Sequence, residues 1–199
     1  MPSPLRSPNP ARRSEIARQA ILAAAFDLVG EVGYGRLSIE GIAARAGVGK
    51  QTIYRWWPSK GAVLFDAFLA MAEGGETGGM SDTGDLEADL KLVMRATVDE
   101  LNDPRYDAPL RALTTEIQLD PRTAALYAER LDGPMTELKR ARLRSAQRAG
   151  ELPDDLDLDI AIELLWAPLQ SRWLARSEPL THAYADAVVE LALSGLRRR

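Results

Sequence analysis

Residues 38–60 read SIEGIAARAGVGKQTIYRWWPSK. Behind Ser38, a residue type suited to cap a helix N-terminus, the apolar Ile39, Ile42, Ala43 and Ala46 recur at i, i+3, i+4 and i+7. That spacing predicts a short helix ended by Gly47. Val48 is apolar, and a second helical segment is predicted from about Gly49 until Pro58 forbids continuation. Ser59 then caps a further helix in which Val63, Leu64, Ala67, Phe68 and Met71 share one face. Helices this short are not stable alone in water, so they must pack on their neighbours, and the packing decides which side chains stay free. Ile53 and Trp57, at i and i+4, are expected to point inward; Lys50, Gln51, Thr52, Tyr54, Arg55 and Trp56 are left to cover the outer surface. The adjacent Trp56 and Trp57 cannot both face one core from a helix. An exposed helix mixing amide, hydroxyl, basic and aromatic groups suits a DNA major groove, where amides and bases read base edges while hydroxyls and amines hold phosphates.

Upstream, Ile16, Ala20, Ala24 and Leu28, with Ile21, Ala25 and Val32, form a broad apolar stripe on a first helix over about 12–32, which Gly33 can close in a left-handed conformation. Downstream, GGETGGMSDTG (74–84) has no periodicity and reads as a link. Leu86 to Leu101 forms another stripe. Asp107 and Pro109 open the next helix; Asp120 and Pro121 open one that Gly133 and Pro134 interrupt before it resumes to Gly150. The last two helices, about 157–176 and 181–197, are the most apolar. No stretch alternates as a strand does, and the fold class read from the sequence is all-α, with nine to ten helices.

Charge divides the same way. Residues 1–65 carry nine bases against four acids, and the remainder 16 bases against 25 acids, within a net charge of −4. A basic head on an acidic body lets the head approach a polyanion. The chain of 199 residues holds no cysteine and a single histidine, His182, which excludes disulfides, thiolate chemistry and most metal and triad sites. No apolar run approaches membrane-span length, and the Pro-rich start (Pro2, Pro4, Pro8, Pro10) lacks a secretory h-region, so a cytoplasmic, nucleoid-associated protein is expected.

With IEGIAARAGV and TIYRWWPSK on the page, the stretch from about 15 to 70 resembles the DNA-binding head of the tetracycline-repressor (TetR) family of bacterial regulators. The resemblance implies that the helix holding Lys50 to Trp56 is the recognition helix and that Tyr54, Trp56 and Lys60 hold the DNA backbone. Ser38, Lys50, Gln51, Thr52 and Arg55 complete the expected DNA-binding set. Two departures occur: Gly49 stands where a capping serine is usual, and Gly61 where an acid often follows the lysine. Glycine at an N-cap costs only a few tenths of a kcal/mol, so the assignment survives.

The resemblance divides the chain into an arm (1–11), a helix-turn-helix domain (12–65) and a C-terminal ligand-binding and dimerisation domain (66–199). The arm's neighbours Arg12 and Arg13 are further candidates for phosphate or minor groove. In the C-terminal domain, AGEL and DLDLDIAIELLWAPLQSRW carry the likeness, and it implies a four-helix seam between two copies. From apolar spacing the seam is expected at Leu158, Ile162, Leu165, Leu169 and Trp173, with Ala187, Val188, Leu191 and Gly195. An effector pocket is expected to draw on Met71, Met94, Leu113, Ile117, Tyr127, Trp166 and Gln170, near a kink at Pro168, and to admit a hydrophobic or aromatic molecule.

Other clusters carry no chemistry. Asp154, Asp155, Asp157 and Asp159 lack the turn glycine and closing glutamate of a calcium loop. Gly30, Gly33 and Gly35 follow a helix, not a strand, and are no nucleotide fingerprint. Carboxylates around Glu116 or Asp154 come with no base, nucleophile or metal set, so neither catalysis nor a cofactor is expected. The expected function is a homodimeric, ligand-responsive repressor of a palindromic operator; a dimeric regulator without an effector is the alternative.

Overall fold

The structure, a computed structural model, describes residues 10–74 and 80–197. The described residues form helices joined by turns and short irregular stretches, and hold no strand. They form two compact units. The first contains α1 (Pro10–Val32), α2 (Ile39–Ala46), α3 (Lys50–Tyr54), α4 (Lys60–Gly74) and the stretch Ala108–Thr123. The second contains α5 (Leu86–Asn102), the first turn of α6 (Pro104–Leu119) and the chain from Ala124 on. In that last part lie most of α7 (Pro121–Tyr127), a π-helical stretch Ala128–Asp132, α8 (Gly133–Arg148), α9 (Leu158–Ala175) and α10 (His182–Leu196).

In the first unit, Ile21, Ala25 and Val29 of α1 meet Ile42 of α2, Ile53 of α3, Trp57, and Val63 and Leu64 of α4 in one buried cluster. α1 starts at Pro10, inside the expected arm, because proline's fixed φ suits a first helical turn. The rest of the arm, residues 1–9, lies outside the described residues. Gly33 takes φ +76, which L side chains resist, and Gly47 takes φ +66 while the Val48 amide bonds the Ala43 carbonyl at 3.0 Å.

The second unit is organised by α5 and α10, which run antiparallel in a register readable from the polar pairs between them. Lys91 meets Glu190 at 2.6 Å, Arg95 meets Asp186 at 2.7 Å, and Asp99 meets His182 at 2.7 Å, so four residues forward on one helix match four back on the other. Such exposed pairs contribute little energy each but penalise slippage. Beneath them, Asp89 of α5 and Arg142 of α8 are a fully buried pair at 2.8 Å, with Thr83 donating to the same carboxylate. Burial opposes the ionised Asp89, but the bonds from Thr83 and Arg142 outweigh it and hold the carboxyl below its ordinary range.

Three further features differ from the expectation. α6 begins one turn early, since Asp103 accepts the Arg105 amide at 2.9 Å and Pro104 occupies the first position; Pro109 therefore sits inside the helix. Gly133 and Pro134 do not break the chain. The helix widens into the π turn Ala128–Asp132 and continues, and a Cβ at Gly133 would lie 2.8 Å from the Ala128 carbonyl oxygen.

The third difference concerns the expected seam. Ile162, Leu165, Leu169 and Trp173 are buried within their own unit and Leu158 is half-buried, so this stripe is the protomer's core. Trp173 also donates its indole N–H to Asp107 at 2.7 Å. The apolar groups that α9 leaves outside are Ile160 (55% exposed), Leu164 (51%) and Leu174 (45%), with Ala167 and Ser171 between them. These five follow a spacing of four, three, four and three, a second stripe that the first one masks in the sequence. On α10 the expected Ala187, Leu191 and Gly195 are exposed and Val188 is half-buried. α9, an 18-residue helix, thus carries apolar side chains on two faces, one buried and one exposed.

Candidate nucleic-acid interface

Ser38 caps α2, its hydroxyl oxygen accepting the Gly41 amide at 3.1 Å. Gly49 opens α3 without a side-chain cap, and the α-helix spans Lys50–Tyr54, where the sequence pattern suggested helix to Pro58. The chain after Tyr54 still turns helically, since the Trp56 and Trp57 amides both bond the Ile53 carbonyl at 2.9 Å. This turn faces Ile53 and Trp57 into the core, and Trp57 donates its indole N–H to Asp66 of α4 at 2.8 Å. The buried pair fixes which face of α3 turns outward.

On the other side, Lys50, Gln51, Tyr54 and Arg55 are exposed and Thr52 half-exposed. Trp56 is a compromise. It is partly buried, its ring edge-on to Trp57 at 5.4 Å, and the Arg55 guanidinium lies 4.8 Å from its centroid. Aromatic stacking thus steers Arg55 along the outer face. Lys50 points at Glu40 of α2, 2.9 Å away, which raises the lysine above its usual range and lowers the glutamate, in each case chiefly through their shared hydrogen bond. Glu40 is a further polar group beside this face that apolar periodicity does not single out.

Lys60 is placed differently from the others. Its ammonium donates to the backbone carbonyls of Tyr34 (2.9 Å) and Leu37 (3.0 Å) and lies 4.2 Å from the Tyr34 ring centroid. It pins the turn between α1 and α2 to the start of α4. Two of its three N–H groups are engaged, which leaves one for an outside acceptor. Arg45 is tied to Glu31 at 2.6 Å and fastens α2 to α1.

The expected pocket residues separate between the units. Met71, Leu113 and Ile117 belong to the first, Leu113 fully buried. Met94, Tyr127, Trp166 and Gln170 belong to the second, where Met94 is fully buried in core and Gln170 lies on the exposed side of α9, away from any interior. Sequence reasoning passed over Lys139, whose ammonium sits 4.5 Å from the Trp166 ring centroid. Burial pushes that amine below its ordinary range, and nearby Asp132 opposes the shift.

Among the described residues, no group of histidine, aspartate and glutamate side chains could hold a metal ion, and no helix is long and apolar enough to cross a membrane.

This geometry has counterparts. Residues 21–67 match the family described as bacterial regulatory proteins, tetR family, and residues 80–192 match the tetracyclin repressor-like C-terminal domain. The HTH-type transcriptional regulator YdeS of Bacillus subtilis strain 168 is 32% identical over 186 residues, 93% of this chain and 92% of that protein. A DNA-binding transcriptional repressor TetR of Mycobacteroides abscessus is 30% identical over 189 residues, covering 94% and 96% of the two chains. The crystal structure of the TetR family transcription regulator SCO0332 superposes with a TM-score of 0.70 at 32% identity, over 90% of this chain and 97% of that one.

Proposed function

Since the chain belongs to the tetR family of bacterial regulatory proteins, and is a helix-turn-helix DNA-binding transcriptional regulator rather than an enzyme, we propose that it works as a homodimeric repressor whose operator is palindromic and whose grip is released by a small-molecule effector. The observation that carries this reading is α3 itself: a helix fixed from below by Ile53 and Trp57, which presents Lys50, Gln51, Thr52, Tyr54 and Arg55 on one open face. Such a face supplies donors for base edges and phosphates together. Ser38, Trp56 and Lys60 flank it. A single short helix gives little affinity, so two heads on a twofold axis are needed, and half-sites then repeat inverted.

The second copy docks in this proposal on the outer stripe of α9 and α10, through Ile160, Leu164, Leu174, Ala187 and Leu191, because that surface is apolar and uncovered in the single chain. The repressing sense is supported by the Mycobacteroides relative, named a transcriptional repressor. Release requires an effector that binds the DNA-incompetent form more tightly, by about 1–3 kcal/mol in ordinary coupling, and operator DNA must weaken effector binding by the same factor. The effector is proposed to be hydrophobic or aromatic, and it enters the C-terminal part.

A binding-site selection with the full chain, followed by a thermal-shift screen of the protein with and without the selected duplex, tests both halves. An inverted repeat, and a compound whose stabilisation weakens in the presence of the duplex, are the expected results. An inverted repeat with no compound that stabilises the protein would favour a regulator that responds to no effector.

A further inference from the structure

α6 enters the first unit from Ala108, and Glu116 on it is half-buried against the turn between α1 and α2. Three observations converge there. The Tyr34 hydroxyl donates to a Glu116 carboxylate oxygen. Gly61, at the start of α4, is buried, and a Cβ built on it would overlap the Glu116 carboxylate, so that group occupies space which only glycine leaves open. The Tyr34 carbonyl and ring are in turn the seat of the Lys60 ammonium, which also holds the Leu37 carbonyl next to the Ser38 cap of α2. Glu116 therefore ends a short chain of polar contacts that runs through Tyr34 and Lys60 to the first residue of the helix-turn-helix.

We infer that Glu116, admitted by Gly61 and fastened to Tyr34, is a positioning residue for DNA binding: it ties the DNA-binding head to α6, so the head takes its operator-competent form only while this latch is closed. This deepens the reading of the chain as an operator-binding regulator and rests on it. Burial first, and then the bond to Glu116 and its negative charge, push the Tyr34 phenol up, so it stays a donor at any ordinary pH. An acceptor that keeps its oxygen, such as the amide of Glu116→Gln, preserves the latch; an alanine does not.

Gly61→Ala is the sharpest probe. The added methyl meets only the far end of a flexible side chain, so Glu116 swings aside, the fold survives, and Tyr34 loses its acceptor. The full-length chain and the duplex it enriches most from a random-sequence library are the reagents. Expected are operator affinities lowered roughly fivefold or more by Gly61→Ala, Glu116→Ala and Tyr34→Phe alike, with near wild-type affinity for Glu116→Gln. Gly61→Ala should add no further loss in the Glu116→Ala background, because no carboxylate is left there to displace. The salt dependence of binding should stay unchanged throughout, since no phosphate contact is removed. In Gly61→Ala, the Tyr34 phenol followed by carbon-13 NMR should titrate lower than in the wild type.

The inference is overturned if all four variants keep wild-type affinity while only their melting temperatures fall, since the contact would then be a brace. It is equally overturned if Gly61→Ala costs as much with alanine at 116 as with glutamate. Failure of the underlying reading looks different: the wild-type chain itself would enrich no duplex.

Discussion

Two leucines distinguish the proposed surface between copies from the interior of one copy. Leu191 on α10 is 74% exposed in the single chain, whereas Leu165 on α9 is 0% exposed. Fully burying a leucine contributes about 1.5–3 kcal/mol, so covering what Leu191 still shows is worth about 1–2 kcal/mol per protomer. In the proposed dimer a twofold axis repeats the contact, so Leu191→Ala should cost it about 2–4 kcal/mol, a rise in dissociation constant of roughly 30- to 700-fold. Alanine favours helix, so α10 itself is not weakened. Leu165→Ala removes a core side chain instead and costs about 2–5 kcal/mol of folding stability. Sedimentation velocity over a dilution series reads the first effect. Urea unfolding at one fixed protomer concentration reads the second, because the stability of a dimer depends on concentration. If Leu165→Ala yields folded monomers while Leu191→Ala leaves the dimer untouched, the outer stripe of α9 and α10 is not the seam.

Other perturbations test the units separately. Asp89→Asn keeps the shape but removes the nearest carboxylate from the buried Arg142, leaving it the more distant Asp82 at 3.6 Å and Glu151 at 3.9 Å, and urea unfolding should show a loss that stays below the about 3–5 kcal/mol of a fully unpaired buried charge. Because the Asp89 carboxyl is held below its unfolded range, its contribution is present above that range and lost as pH falls through the folded value; the wild type should lose stability there and Asp89→Asn should lack this component. Gly133→Ala drives a methyl against the Ala128 carbonyl at the end of the π turn, and calorimetry should register about 1–3 kcal/mol of destabilisation. Lys60→Ala should lower the salt slope of DNA binding by about one. It should also destabilise the head by about 1–3 kcal/mol in urea, since the Tyr34 and Leu37 carbonyls lose their donor.

What was legible in the sequence follows from how strongly single positions are constrained. Ser38, Gly47 and Ser59 marked helix boundaries because a cap needs one particular residue type at one place. The inward pair Ile53 and Trp57 was readable because a helix of that length has only one face to bury. α9 defeated the same logic. A helix with apolar side chains on two faces shows no dominant stripe, so its Leu165 and Trp173 face was assigned to the partner, whereas they pack inside and Leu164 and Leu174 lie outside. The start of α6 was missed since Asp107 with Pro109 resembles a cap as closely as Asp103 with Pro104 does. Tyr34, Glu116 and Lys139 could not be found locally at all. Their partners are 82 residues away for Tyr34 and Glu116, and on different helices for Lys139 and Trp166, so only the tertiary fold brings them together.

The central claim is that α3 of two related heads reads DNA. Binding-site selection with the wild-type chain and with Lys50→Ala, Gln51→Ala and Arg55→Ala tests it most directly. The account predicts an inverted repeat for the wild type, and a preference relaxed by about 1–3 kcal/mol at one position, symmetrically in both half-sites, for each variant whose side chain touches a base edge. A wild-type motif without twofold symmetry, or three variants that all recover the wild-type motif position for position, would contradict it.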